Sequence, residues 1–221
     1  MKDFVLIVAG GVGRRMGGAL PKQFMKLKGV PIILRTIERF TSFDPNLNVV
    51  VVLHPEYIEL FQELCDLLKF PFKCQVVKGG DSRFQSVKNG VDALPSDAHI
   101  VGVHDAVRPF VSDDTLERCF GVARRKGNAI PVTPLVDSIR EIVPSGSKMI
   151  DRTKLRLVQT PQCFEYSLLR DAYLQNESAL FTDDASVVEA LGIKMVLVDG
   201  NRLNFKITTP EDLDMANAIC P

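Results

Sequence analysis

The sequence predicts an α/β protein: a mainly parallel β-sheet covered by helices on both faces, with a β-arm inserted into it. Three observations carry this. Short, uninterrupted apolar runs alternate with amphipathic segments through the first 127 residues, as expected of buried parallel strands joined by crossover helices. The rhythm breaks at 137–158, where polar and apolar residues alternate around a Pro-Ser-Gly-Ser turn. It then resumes. With 221 residues, no repeat and no linker-like stretch, the chain reads as one domain, 1–221, carrying an arm at about 137–158.

Each element has its own signal. Residues 4–9 (FVLIVA) form a first strand, and Ile33, Ile37 and Phe40 recur at helical spacing in 32–40. Residues 49–53 (VVVVL) are a second strand, followed by a helix with Leu60, Phe61, Leu64, Leu67 and Leu68 on one face. A short third strand is expected at 74–77, then a helix striped by Phe84, Val87, Val91 and Leu94. Residues 100–104 make a fourth strand ending at Asp105. Ser112 or Asp113 caps the next helix, which stops near Gly127 with Arg124, Arg125 and Lys126 complementing its C-terminal dipole. A strand at 129–132 precedes the arm, whose alternation around Ser138–Ile142 suits a hairpin with one wet face. Helices from about Tyr166 and over 183–191, a strand at 195–198, and a final helix with Thr209 at N-cap and Pro210 at N1 complete the pattern.

Composition excludes several function classes. Lys plus Arg and Asp plus Glu both number 27, so a nucleic-acid coat protein or polybasic membrane binder is not expected. The apolar run at 4–9 is six residues long, far short of the ~18–20 that span a bilayer. It leads directly into glycines and arginines, unlike a signal segment. Five cysteines without CxxC spacing suggest reduced thiols in a cytoplasmic protein rather than a disulfide framework or zinc site. The three histidines, His54, His99 and His104, are too scattered to propose a metal cluster.

The most informative segment follows the first strand. Residues 9–18 read AGGVGRRMGG, with five glycines in nine positions, and Pro21-Lys22-Gln23 comes next. Such a loop lets backbone N–H groups converge on an anion. The first forty residues also hold eight Lys or Arg against two acids, either a solvated basic face or an anion site. A dinucleotide fingerprint fails, because Met16 occupies its third glycine position and Leu53-His54-Pro55 lacks the ribose-binding acid. A P-loop fails because Ala19-Leu20 follows Gly18. What remains is a glycine loop with a trailing Arg15 and, seven residues on, Lys22.

These residues resemble those of nucleotidyltransferases with a GT-A-like, Rossmann-type core. More closely, the chain is similar to the 2-C-methyl-D-erythritol 4-phosphate cytidylyltransferase family. The resemblance runs through AGGVGRRMG…PKQ, GGDSRFQSV at 79–87, VHDAVRP at 103–109, DRTKL at 151–155, QTPQ at 159–162, TDDAS at 182–186 and NFKITTPEDL at 204–213. Ribitol 5-phosphate cytidylyltransferase is the nearest alternative; DRTKL and TDDAS favour the methylerythritol enzymes. The family more usually has Pro-Ala-Ala-Gly where this chain has Val8-Ala9-Gly10-Gly11, and Gly10 in place of Ala is expected to loosen the loop.

The resemblance implies attack by a substrate phosphate on the α-phosphorus of CTP, with pyrophosphate leaving. It assigns Arg15 and Lys22 to charge stabilisation at the reacting phosphates. It places Ala9, Gly10, Gly11, Gly13, Gly80, Asp81, Ser86, Ala106 and Arg108 around the nucleotide. Arg152 and Lys206 would hold the methylerythritol phosphate, with Thr160 adding a hydroxyl contact. Asp105, at a strand C-terminus, would bind Mg²⁺ between itself and the phosphates. An alternative partner for Asp105 is Arg108, three residues on. The arm's apolar face (Ile139, Val143, Ile150) is expected to be covered by a second copy, giving a homodimer in which Arg152 can reach the neighbour's site.

Overall fold

The computed structural model describes residues 1–10, 20–71 and 73–220. The chain runs β1 (Lys2–Ala9), β2 (Lys26–Leu27), β3 (Val30–Pro31), α1 (Ile32–Phe43), β4 (Asn48–Leu53), α2 (Ile58–Leu67), β5 (Gln75–Lys78), α3 (Arg83–Asp92), β6 (Ala98–Asp105), α4 (Asp113–Lys126) and β7 (Asn128–Pro134). Then come β8 (Ile139–Val143), β9 (Gly146–Ile150), β10 (Arg156–Val158), β11 (Gln162–Glu165), α5 (Tyr166–Ala172), α6 (Asp184–Glu189), β12 (Leu197–Asp199) and α7 (Pro210–Ile219). The α/β class is as the sequence predicts.

β5, β4, β1 and β6 lie side by side and parallel. Their residues alternate between two cores, as a pleated strand requires. Val5, Ile7, Val49 and Val51 face α1 and α4, through Ile33, Ile37, Leu116 and Phe120. Phe4, Leu6 and Val50 face α3, α5 and α6, through Phe84, Val87, Leu169 and Val188. Both faces are apolar, so the strands read as continuous hydrophobic runs.

Helix ends follow local chemistry. Ser112 accepts a hydrogen bond from Thr115 N at the start of α4, and Gly127 closes it with φ +84°, a conformation costly for other residues. Thr209 and Asp212 cap α7 reciprocally. Asp183 and Ser186 do the same for α6, a start that the TDDAS segment encodes.

The second half of the sheet is less regular. β11, which the sequence reading did not anticipate, inserts antiparallel between β6 and β7. β10 also pairs antiparallel with β7, opposite Val132–Pro134. β10 and β11 therefore lie end to end along one edge of β7, interrupted at 159–161, while β12 runs parallel along the other edge. β8 and β9 form a separate hairpin. Its side chains Ile142 (82% exposed) and Met149 (70%) stand in solvent.

Candidate active site

Open α/β sheets place ligands beyond the C-terminal ends of their strands. Here a cleft of about 710 Å³ opens at that edge. β1 supplies Val8 and Ala9, with Gly10 just beyond; β4 leads to His54, β5 to Gly80 and Asp81, and β6 to Asp105 and Ala106. Lys22 and Gln23, from a single 3₁₀ turn, close one wall. Gln23 is buried and donates to the Ala9 carbonyl at 3.2 Å, tying that turn to the end of β1. A smaller cavity of about 290 Å³ adjoins it, lined by Arg108, Gln159, Thr160, Gln162, Thr182 and Asp183. Arg83, Asp105 and Lys206 line both.

The loop that Gly10 is expected to loosen lies outside the described residues, but Gly10 itself is closely packed. A Cβ there would stand 2.4 Å from Ser86 Oγ, inside van der Waals contact. The bare backbone is what lets Ser86, from the first turn of α3, approach so closely. Ser86 Oγ accepts from Gly80 N at 3.1 Å and donates to Gly80 O at 3.3 Å. Gly10, Gly80 and Ser86 are thus one packed unit at the cleft wall, joined by Asp81 and Ala106.

Asp105 is the electrostatic centre. Its Oδ2 accepts from Arg108 Nε at 2.9 Å and pairs with Lys206 Nζ at 3.1 Å. Burial alone would raise its pKa, but Lys206, then Arg108 and Arg83, outweigh that and hold the carboxyl well below the usual range. Its Oδ1 has no hydrogen-bond partner among the described residues. One carboxylate with a free oxygen fits Mg²⁺ in its usual role with nucleotides, where phosphate oxygens and water supply the other ligands. No cluster of three or more His, Cys, Asp or Glu that could cage a metal exists among the described residues.

Behind Asp105 is a buried relay. His104 Nε2 lies 3.0 Å from the Arg108 carbonyl and Nδ1 lies 3.1 Å from Thr160 Oγ1. A carbonyl only accepts, so Nε2 carries the proton and Nδ1 accepts from the Thr160 hydroxyl. Thr160 Oγ1 in turn accepts from Asp105 N at 3.1 Å. Burial lowers the His104 pKa to about 4, which keeps this neutral tautomer. Asn204, also buried, donates to the Thr160 carbonyl at 2.7 Å.

Set against known proteins, the chain finds close relatives. The profile of the family described as "IspD: 2-C-methyl-D-erythritol 4-phosphate cytidylyltransferase" matches residues 4–221. The chain belongs to this family. It is 48% identical over 214 residues to the 2-C-methyl-D-erythritol 4-phosphate cytidylyltransferase of Bacteroides fragilis, covering 97% of each chain. A crystal structure of the Thermus thermophilus cytidylyltransferase is similar at 33% identity and a TM-score of 0.77, covering 99% of this chain and 98% of that one. The 4-diphosphocytidyl-2C-methyl-D-erythritol synthase of Anaerococcus prevotii shares the fold, with a TM-score of 0.85 at 24% identity over 98% and 95% of the two chains.

Against that family's expected residues, the structure gathers Ala9, Gly10, Lys22, Gly80, Asp81, Ser86, Asp105, Ala106 and Lys206 around the large cleft. Arg15, Gly11 and Gly13 lie outside the described residues. Arg108 lines the smaller cavity, not the large one, and also donates to Asn204 O at 2.8 Å. Thr160 lines the smaller cavity too, but its hydroxyl is engaged on both sides by the relay. Arg152 lines neither cavity: it is exposed and donates to the Val136 carbonyl. Sequence reasoning missed His104, Asn204, Arg83 and Asp184; the pairs His104–Thr160, Asn204–Thr160 and Arg83–Asp184 span 56, 44 and 101 residues.

Proposed function

We infer that this protein transfers CMP from CTP to 2-C-methyl-D-erythritol 4-phosphate, yielding 4-diphosphocytidyl-2-C-methyl-D-erythritol and pyrophosphate. The carrying observation is the pair of joined cavities, one walled by the strand ends and the glycine segments, the other opening from the same Asp105–Lys206 centre. A nucleotide and a phosphorylated acceptor need this arrangement. A phosphate oxygen of the acceptor attacks the α-phosphorus. The P–O bond to the β-phosphate breaks, and pyrophosphate departs with the electron pair. A phosphate monoester has a second pKa of about 6, so at neutral pH the nucleophile needs no general base. The chain's task is to neutralise and align crowded anions.

In this reading Lys22 and Arg15 stabilise charge on the reacting phosphates, and Lys206 holds the acceptor phosphate. Asp105 would hold Mg²⁺, and the ion would supply positive charge to offset the phosphates. The relay through His104 and Thr160 fixes the Asp105 backbone, so Thr160 serves as a support, its one hydroxyl hydrogen being given to His104. Arg152 reads best as a residue given to a second copy. The exposed apolar residues of the hairpin and of β10 (Ile142, Met149, Leu157, Val158) favour a homodimer built there. The compartment that suits five free cysteines is the cytoplasm.

The deciding assay is pyrophosphate release from CTP and Mg²⁺ with each acceptor. Turnover with methylerythritol phosphate is expected. A much higher kcat/KM with ribitol 5-phosphate would reassign the substrate. Sedimentation at micromolar concentration is expected to give a dimer, and a fully active monomer would refute the assembly.

A further inference from the structure

The TDDAS segment carries a group that the scheme above leaves unused. Asp184 is fully buried, yet its carboxylate is not idle. Arg83 Nη1 donates to Oδ1 at 3.1 Å and Nη2 to Oδ2 at 2.6 Å. The hydroxyl of Tyr173, also buried, donates to Oδ1 at 2.6 Å. Arg83 and Asp184 come from α3 and α6, and Tyr173 directly follows α5. Gln162 ties α6 to β11 by donating to Asp183 Oδ2 and accepting from Ala185 N, each at 2.8 Å.

The arrangement is one-sided. The carboxylate is sealed in, whereas the Arg83 side chain is 34% exposed and faces both cavities. Ion pairing of a buried carboxylate gains little stability over an apolar replacement. What it gives is a cation held in one orientation. A guanidinium has five N–H groups. Asp184 takes the Nη1–Nη2 end, and no other acceptor among the described residues takes the rest. The side edge, Nε–H with one Nη–H, therefore still matches two oxygens of a phosphate. That edge belongs to one of only three residues shared by the two cavities among their lining residues. That junction is where a phosphate lying in the smaller cavity would meet one lying in the larger.

We propose that Arg83 is a catalytic residue, gripping the acceptor's phosphate opposite Lys206 while Asp184 and Tyr173 hold it from behind. This rests on the cytidylyl-transfer reading and adds a second phosphate-binding cation within the same chain. A purely structural strut would sustain the fold and touch no substrate.

The test uses the full-length protein and its Arg83→Gln, Arg83→Lys and Tyr173→Phe variants, with thermal melting to establish that each folds. Arg83→Gln is expected to lower kcat/KM for methylerythritol phosphate about 10²–10³-fold, while KM for CTP moves by less than about threefold. Arg83→Lys, which keeps the charge but loses the fork, should recover about tenfold of that loss. If Arg83→Gln does not fold, the same split between acceptor and CTP is required of Arg83→Lys and, more weakly, of Tyr173→Phe. Wild-type acceptor kinetics in a folded Arg83→Gln, or equal losses for CTP and acceptor, would overturn the proposal. Absence of turnover in the wild type would instead defeat the cytidylyl-transfer reading. Arg83 is then judged by calorimetric titration with inorganic phosphate, where unchanged affinity in Arg83→Gln counts against it.

Discussion

The two cavities are built on opposite principles. The large cleft rests on four parallel strands whose central residues are buried on both faces, so its walls are set by a packed core. The smaller one rests on β10, β11 and β7, where the pairing is antiparallel and interrupted and the chain between β7 and β10 is drawn out into a separate hairpin with exposed apolar residues. The large cleft collects nearly all of its expected and described residues within one chain. The smaller one has Lys206 and Arg108, but its expected partner Arg152 points elsewhere. In the proposed reaction the nucleotide, common to many enzymes, falls to the parallel-strand half, and the specific acceptor to the half that a second copy would complete.

The largest effect should come from Asp105, one of the three residues common to both halves. Asp105→Asn keeps size and shape but removes the charge that balances Lys206 and Arg108. A fall in kcat of about 10³-fold is expected with the fold retained, and near-normal activity at limiting Mg²⁺ would show that Asp105 holds no metal. Next, mixing Lys22→Ala and Arg152→Ala subunits tests whether the second half is shared. If Arg152 acts across a two-fold axis, a mixed dimer has one site with both defects and one with neither. Random pairing then restores roughly one quarter of wild-type activity. A dimer without restoration would place Arg152 in its own subunit's chemistry.

Acid should strain the seam between the halves. The His104 pKa falls from 6.5 to about 4 on folding, so below 6.5 the unfolded chain binds more protons than the native one. Stability is then full above pH 6.5 and declines as pH drops towards 4, by about 3 kcal/mol. Asp105, held low, contributes its own loss only below the ordinary carboxylate value of 3.8. Denaturant titrations between pH 7 and 4.5 measure the first window. His104→Asn, whose amide can still accept from Thr160, should flatten it, and a flat wild-type profile would refute the buried neutral imidazole. The smallest effect belongs to the rigid half. Gly10→Ala would displace Ser86 Oγ from Gly80 N, and a rise of a few-fold in KM for CTP is expected, worth about 1 kcal/mol. An unchanged KM would show that Ser86 simply turns aside.

What was legible in the chain follows the same division. β1 and β4 are readable because burial on both faces leaves unbroken apolar runs, and α4, α6 and α7 because their caps are local. β11 was not readable: Gln162-Cys163-Phe164-Glu165 is four residues without a strand signature, and its place is decided by β6 and β7. The site splits likewise. Lys22, Gly80 and Asp105 sit beside signals that precede or follow a strand. Arg83 with Asp184, and His104 with Thr160, become pairs only when α6 and β11 close over α3 and β6. The close packing at Gly10 was hidden because a glycine's freedom is visible in sequence, whereas the side chain that needs its vacancy, Ser86, is 76 residues on.

The interruption between β10 and β11 has a numerical consequence. From the pair Val158–Val132 to the pair Cys163–Ala129, one strand advances five residues and the other three. The surplus is two, one full pleat repeat, so side chains before and after the break stay in phase with the same faces of the sheet. Length in this segment is therefore counted in even steps. A single residue added or removed at 159–161 would have to be absorbed within that break for Phe164 and Cys163 to keep their places in the two cores, whereas a change of two preserves the phase.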